Sequence, residues 1–360
     1  MRVAVAMSGG VDSSVAAALL KEEGHEVTGV TMQLWSRPDE KRGNNGSGSS
    51  GSHDAIEDAR KVAYKLGIPH HVIDLRDVFA RTIIADFCRE YSEGRTPNPC
   101  VQCNKYIKFG ILWERVKELG ADFLATGHHA RIERDIKGKY LLKKGLDRQK
   151  DQSYFLCQLK QEQLGRSLFP IGNLTKDIVR QIAREMGLPV ALRPESQEIC
   201  FIPDDNHAAF LKNYAPIPVE QGPILDREGK VLGQHRGIMF YTIGQRKGLG
   251  LTAARPLYVT AIERERNAIV VGTKEQTYAD ELVADNLNWI AGMRPEQPIN
   301  VKARVRYRHP EAEAIVSPMD ETSVYVKFTE PQMAITPGQA VVFYDCDTVI
   351  GGGTIIRQGR

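Results

Sequence analysis

Apolar and polar positions interleave along the first half of the chain with two different periods. Val3 to Ala6 is a short apolar run that reads as a buried strand, Ser13 to Glu23 has helical spacing, and Val27 to Met32 reads as a second strand. Asp54 to Leu66 sets Ile56, Ala59, Val62, Ala63 and Leu66 on one helical face. His70 to Leu75 and Phe123 to Thr126 read as further strands, with helices over Val78 to Tyr91 and Tyr106 to Leu119 between them. Strands that alternate with helices predict a parallel sheet covered on both faces. Ligands of such sheets bind beyond the carboxyl ends of the strands, so the loops after Ala6, Met32, Leu75 and Thr126 are expected to face one crevice.

The pattern breaks twice. Arg37 to His53 holds the run Asn44-Asn45-Gly46-Ser47-Gly48-Ser49-Ser50-Gly51-Ser52, too polar to bury a face and expected as a mobile surface loop. A helix follows Thr175, with Ile178, Val179, Ile182, Ala183 and Met186 at helical spacing and Gly187 and Pro189 ending it. Beyond about Asp204 short strands and turns take over. Gly222 to Leu232 reads as a hairpin turning at Glu228-Gly229, Leu257 to Val271 as another turning near Arg266-Asn267, and strand signals recur from Glu281 onward. The expected layout is an α/β domain over residues 1–204, a small β-rich domain over 205–280, and an antiparallel β-barrel over 281–360.

Composition narrows the class without naming a chemistry. A chain of 360 residues with 42% hydrophobic and 26% charged residues is globular, and its length calls for more than one domain. No apolar run approaches the roughly 18 residues of a membrane span, and Val3 to Met7 runs into Ser8-Gly9-Gly10 where a signal peptide would need a cleavage site. A cytoplasmic protein with no membrane partner is expected. Its six cysteines are then packing residues, ligands or reactive thiols. A net charge of +3 does not by itself imply a nucleic-acid partner.

Three motifs carry chemistry. Ser8-Gly9-Gly10-Val11-Asp12-Ser13-Ser14 sits between a strand and a helix, where backbone N–H groups and the helix dipole converge on an anion. The glycines let the backbone approach an oxyanion closely, and the serines offer hydroxyl donors. The string resembles the pyrophosphate loop of ATP pyrophosphatases, which split ATP between its α and β phosphates. Next, the proline-stiffened loop Arg95 to Lys105 presents Cys100 and Cys103, with Cys103 just before a helix expected to open near Lys105, where the dipole would favour thiolate. A zinc half-site would need a second Cys/His pair, and none follows at ligand spacing. Cys200 lies in Glu198-Ile199-Cys200-Phe201-Ile202. Composition alone would make it a packing residue, but paired with Cys103 it suits sulfur transfer through a persulfide and disulfide exchange. Finally, Lys302, Arg304, Arg306 and Arg308 alternate with apolar residues, a pattern that reads either as a phosphate-tracking strand face or as an ordinary solvated one.

These stretches, with Ala125-Thr126-Gly127-His128, Lys150 to Leu156 and Tyr241 to Gly250, resemble the tRNA-specific 2-thiouridylases over nearly the whole chain. The resemblance implies an α/β ATP-pyrophosphatase domain and ATP-dependent replacement of O2 of the wobble uridine by sulfur. It implies that Ala6, Met7, Ser8, Gly9, Gly10, Val11, Asp12, Ser13, Met32 and Gly127 contact ATP, usually with Mg²⁺ on its phosphates. Cys103 would be the nucleophile and Cys200 the persulfide carrier, the two able to form a disulfide. Asn98, Pro99 and Cys100 would line the target base, and His128, Lys150, Asp151, Gln152, Arg306, Tyr307 and Gln339 would meet tRNA. No dedicated protein metal site and no DNA partner are implied, while a protein that delivers persulfide sulfur is. Many relatives have Asp in place of Cys100. The three thiols leave an iron–sulfur cluster as an alternative that the two-cysteine persulfide route does not need.

Overall fold

The computed structural model describes residues 1–35, 53–195, 199–202, 206–215, 219–290, 292 and 294–359. The glycine- and serine-rich run Asn44 to Ser52 lies outside the described residues. The parallel sheet is built from β1 (Arg2–Ala6), β2 (Glu26–Gln33), β3 (His70–Asp74), β4 (Phe123–Thr126) and a two-residue strand Ser167–Leu168, in the order β3-β2-β1-β4 with Ser167–Leu168 outermost. The order reverses between β1 and β4, which pair from Val3↔Phe123 to Ala6↔Thr126. That reversal opens a crevice at their carboxyl ends. Helices α1 (Val11–Glu22) and α2 (His53–Leu66) pack on one face, with Val15 to Ala18, Ala59 and Val62 buried against Val3 and Val5. The predicted face of the later helix, Lys176–Glu185, is narrower than its apolar spacing suggests. Val179 and Ala183 are buried, whereas Ile178 stays 43% exposed because it lies on the solvent side of that stripe.

Among the elements that escaped the apolar pattern are a hairpin in the first half and the helix His207–Tyr214, within the segment expected to be β-rich. Ala130–Arg134 and Tyr140–Lys144 form a hairpin within the α/β segment, yet Lys143 pairs with Thr348, so the hairpin extends a sheet made otherwise of C-terminal strands. Those strands close a barrel in the order Tyr278–Trp289, Val324–Met333, Ala312–Pro318, Ile299–Arg304, Ala340–Asp345, Thr348–Gln358, the last returning to pair with the first. Inward alternation fills it with Val301, Ala303, Val316, Val326, Phe328, Val341 and Phe343. Between the two lies the four-stranded sheet of the hairpins Gly222–Leu225/Val231–His235 and Tyr258–Glu263/Ala268–Gly272, with Gly229 and Asn267 taking the positive φ their turns require.

The cationic strand is not a free phosphate face. The strand itself ends at Arg304, so Arg306 and Arg308 lie beyond it. Val301, Ala303 and Val305 do point into the barrel, but Arg304 donates to Glu311 at 2.6 Å and lies 3.4 Å from Asp151, and Arg306 donates to the Ile243 carbonyl at 3.0 Å and to the Thr336 hydroxyl. Lys302 faces Glu313 across the hairpin at 3.5 Å. Burial is what turned Arg304 and Arg306 to internal partners, whereas Lys302 stays exposed. Arg304→Ala would leave the buried Asp151 without an ion-pair partner among the described residues, while Glu311 keeps Lys144 at 2.7 Å, and is expected to cost about 3 kcal/mol. A urea midpoint equal to that of the unmodified protein would contradict this.

Candidate active site

The phosphate loop follows from the β1–α1 junction. Gly9 takes φ +72°, and Gly10, extended at φ −94° and ψ 168°, precedes the first helical residue, so N–H groups of the loop and of the first turn open toward the crevice. Ser13 ties the loop together: its hydroxyl accepts from the Ser8 N–H at 3.1 Å and donates to the Gly10 carbonyl at 3.2 Å. Ser14 is fully buried and donates to that same carbonyl at 2.8 Å, so it braces the loop from behind instead of meeting an anion. Lys176 reaches in from its own helix and donates to both oxygens of Asp12, at 2.6 and 2.8 Å, with Glu195 at 3.4 Å. Desolvation works to raise the Asp12 carboxyl, but His129 and Lys176 prevail and hold it below the ordinary carboxylate range. Arg193 donates to the Gly9 carbonyl at 3.0 Å and pairs with Asp58.

The thiol site starts at Asn98. Its side-chain oxygen accepts from the Val101 N–H at 3.3 Å and Pro99 takes the first helical position, so helix begins here and not near Lys105. Pro99–Gln102, Cys103–Leu112 and Trp113–Glu118 run on as one helical stretch whose middle portion is π-helical. Cys100 therefore holds the dipole-favoured first turn, while Cys103 lies beyond it and is 8% exposed. The dipole argument for a Cys103 thiolate fails. Burial pushes that thiol up to about 11, only partly opposed by Lys108. Burial also raises the Cys100 and Cys200 thiols. Iodoacetamide alkylation of Cys103 in the free protein should accordingly rise toward a midpoint near 11, well above the ordinary value of about 8.5. A midpoint at or below 8.5 would restore the thiolate reading. Cys200 is anchored by its neighbour Phe201, whose ring packs at 5.3 to 5.5 Å against Phe79, Phe87 and Phe210.

Both sites open into one cleft of about 1260 Å³. From the phosphate side it is lined by Ala6, Met7, Ser8, Gly10, Val11, Asp12, Ser13, Met32 and Gly127, and from the thiol side by Pro99, Cys100, Cys103 and Cys200. Of the residues tied to tRNA by resemblance, His128, Lys150, Asp151, Gln152, Arg306 and Tyr307 also line it. Gly9, Asn98 and Gln339 do not. Gly9 turns the loop behind the wall, Asn98 caps, and the Gln339 amide donates to the Thr96 and Pro97 carbonyls at 2.9 and 3.1 Å. With the Thr96 N–H donating to the Pro337 carbonyl at 2.8 Å, the barrel thus clamps the loop that leads to Cys100. Several lining groups are engaged internally: Lys150 with Glu195 at 2.7 Å, Asp151 with the Gly145 and Ser153 N–H groups, and Gln152 with the His129 N–H at 3.0 Å. His128, bonded to the Thr126 hydroxyl at 2.6 Å, is kept neutral by burial.

No loop follows Leu75, because a helix begins at Arg76, and it is Phe79 and Ile83 further on that reach the cleft wall. Sequence reading missed Lys108, His129, Lys176 and Arg193, all of which line the cleft. Lys176 had one local signal, a lysine in the first turn right after the Thr175 cap, where the dipole disfavours a cation. Among the described residues no group of three or more His, Cys, Asp or Glu is placed to hold a metal ion. At the phosphate loop Asp12 is the carboxylate that could meet a Mg²⁺ carried in on ATP phosphates. No helix among the described residues is long and apolar enough to cross a membrane.

Family models agree with this architecture segment by segment: a tRNA methyl transferase HUP domain over residues 1–204, a tRNA methyl transferase PRC-barrel domain over 208–273, and an aminomethyltransferase beta-barrel domain over 279–355. A three-part nucleotide-dependent enzyme of tRNA modification is the class so defined. At the level of whole sequences, the tRNA-specific 2-thiouridylase MnmA of Symbiobacterium thermophilum is 53% identical over 99% of this chain and 92% of its own. The tRNA-specific 2-thiouridylase MnmA 1 of Caldanaerobacter subterraneus subsp. tengcongensis is 54% identical over 100% and 99%. The chain belongs to the tRNA-specific 2-thiouridylase family.

Proposed function

We propose that this protein thiolates C2 of the wobble uridine of tRNA, consuming ATP and a persulfide sulfur delivered by a donor protein. The observation that carries the reading is the shared cleft: a phosphate-binding loop and three thiols line one cavity, so a nucleotide and a sulfur carrier can act on the same atom. The target base leaves its stack to enter beside Pro99 and Cys100, as chemistry at C2 requires. Its O2 attacks the α-phosphorus held at the loop of Ser8 to Ser13, and pyrophosphate leaves, with Lys176 placed at the loop to meet developing charge. Cys200 brings a terminal sulfur. Attack of the Cys103 thiolate on the inner Cys200 sulfur forms a disulfide and releases hydrosulfide, which adds to C2 and expels AMP. The two electrons that reduce the sulfane sulfur come from the two cysteines, so a thiol reductant must reset the enzyme between turnovers. Direct attack of the terminal sulfur on C2 reaches the same products.

Incubation of the protein with ATP, tRNA and a persulfide source, followed by mass analysis of the nucleosides, tests this. Expected are 2-thiouridine confined to the wobble position and equal amounts of AMP and pyrophosphate. Amide products, or ATP cleavage indifferent to tRNA, would move the protein to another branch of ATP pyrophosphatases.

A further inference from the structure

The cleft cations are nearly all taken. Lys176 is held by Asp12 and Glu195, Lys150 by Glu195, Arg193 by Asp58, Arg148 by Asp347, Arg304 by Glu311 and Asp151, and Arg306 by a carbonyl and a hydroxyl. Arg308 is engaged as well. Lys108 differs: among the described residues no carboxylate lies within ion-pair distance of it, though it lines the same cavity as Cys100, Cys103 and Cys200. A partly buried cation left without a counter-charge is costly unless a ligand or intermediate supplies one.

Helix geometry explains how it comes to be there. Residues 103 and 108 would diverge by about 140° around an α-helix of 3.6 residues per turn. The stretch Cys103–Leu112 is π-helical instead, and turns closed by i→i+5 bonds bring position 108 back toward the side of position 103. Cys103, Asn104 and Lys108 all line the cleft as a result. π-Helical turns are rare and concentrate at functional sites.

We propose that Lys108 is the cation of the sulfur-transfer step, its ammonium stabilising the anionic sulfur that passes between Cys200 and Cys103. The proposal rests on the persulfide reading of the site. In that step the Cys103 proton is lost to solvent, the Cys103 sulfur bonds the inner sulfur of Cys200, and the terminal sulfur leaves as hydrosulfide with the bonding electron pair. Negative charge resides first on Cys103, then on hydrosulfide, and in both cases in a site whose walls raise the cost of an anion. Among the described residues, the charged or titratable groups that act on the three thiols are one another and Lys108, whose pull lowers all three against burial. Lys108 also acts on His128, which is neutral and cannot substitute for it.

Lys108→Met, Lys108→Gln and Lys108→Arg separate this role from a structural one. With iodoacetamide as probe and the Cys103 peptide quantified by mass spectrometry, Lys108→Met should slow alkylation at pH 8.5 about tenfold and displace its pH profile upward, with Lys108→Arg close to the unmodified protein. In single turnovers of persulfide-loaded protein, Lys108→Met should slow 2-thiouridine formation by about a hundredfold while tRNA-dependent pyrophosphate release persists. Lys108→Gln repeats the comparison if the methionine variant does not fold. Unchanged alkylation profiles overturn the proposal. So does loss of pyrophosphate release with alkylation intact, which would assign Lys108 to a substrate phosphate. If the unmodified protein forms no thiouridine while its alkylation profile still depends on Lys108, the functional reading fails and the cation–sulfur pairing stands.

Discussion

Cys200→Ser is expected to abolish 2-thiouridine formation, a loss of at least about 10³-fold, while tRNA-dependent release of pyrophosphate stays within about threefold of the unmodified protein. The two halves of the outcome come from different walls of the cleft. Cys200 lies between Ile199 and Phe201 on a segment fastened by aromatic packing to Phe79, Phe87 and Phe210, a core cluster separate from the one that packs beneath the loop of Ser8 to Ser13. A serine is nearly the same size, so that packing persists and the phosphate loop keeps its bracing bonds to the Gly10 carbonyl. What disappears is a sulfur able to carry sulfane sulfur, which oxygen cannot replace. The measurement is paired: labelled pyrophosphate from ATP, and thiouridine by nucleoside mass analysis, in the same reaction. Full thiolation by the serine variant would remove Cys200 from the mechanism and leave Cys100 as the alternative carrier. Loss of both activities would place Cys200 in substrate binding.

The parts of this molecule that depend on neighbouring residues were legible in the sequence, and the parts that depend on distant pairing were not. Val3 to Ala6, the face of Ile56 to Leu66, and the turns at Gly229 and Asn267 emerge where local pattern placed them because apolar period and turn chemistry act over a few residues. The hairpin of Ala130–Arg134 and Tyr140–Lys144 did not stand out. Its strands carry Arg131, Glu133, Arg134 and Lys143, and its place is decided by pairing with Thr348, some two hundred residues away. The same holds at the site. Asp12 was visible in its motif, whereas its partner Lys176 lies 164 positions further on. The fate of Arg304 and Arg306 was set by Glu311, Asp151 and Ile243, and the strand ends at Arg304, so an alternation read over Lys302 to Arg308 misplaced them. Cys103 illustrates a third limit: the Asn98 cap moved the start of the helix to Pro99, four residues upstream of the residue it was meant to activate, and burial then outweighed the dipole.

Gly127→Ala is expected to damage the enzyme from the opposite side, through shape and not chemistry. Gly127 follows β4 at the point where the strand order reverses, and an added Cβ would come within 2.5 Å of the Ser13 nitrogen and 2.6 Å of the Asp12 carbonyl carbon. Both obstacles are backbone, in the first turn of α1, which is pinned by Ser13 and Ser14 to the Gly10 carbonyl and cannot give way as a flexible side chain would. Either β4 or the phosphate loop must shift, and a displacement near 1 Å at a site that works by positioning costs on the order of 10²-fold in rate. The expected result is a fall of that size in tRNA-dependent pyrophosphate release, together with about 2 kcal/mol of lost stability from overpacking. Gly138→Ala is the matched control. It lies in the Ala130–Arg134/Tyr140–Lys144 hairpin at φ +80° with no atom within 4 Å of the new methyl, so it carries only the backbone penalty of about 1 kcal/mol and should leave pyrophosphate release unchanged. Equal activity of the two variants would show that the strand end and the phosphate loop are not in the fixed contact described here.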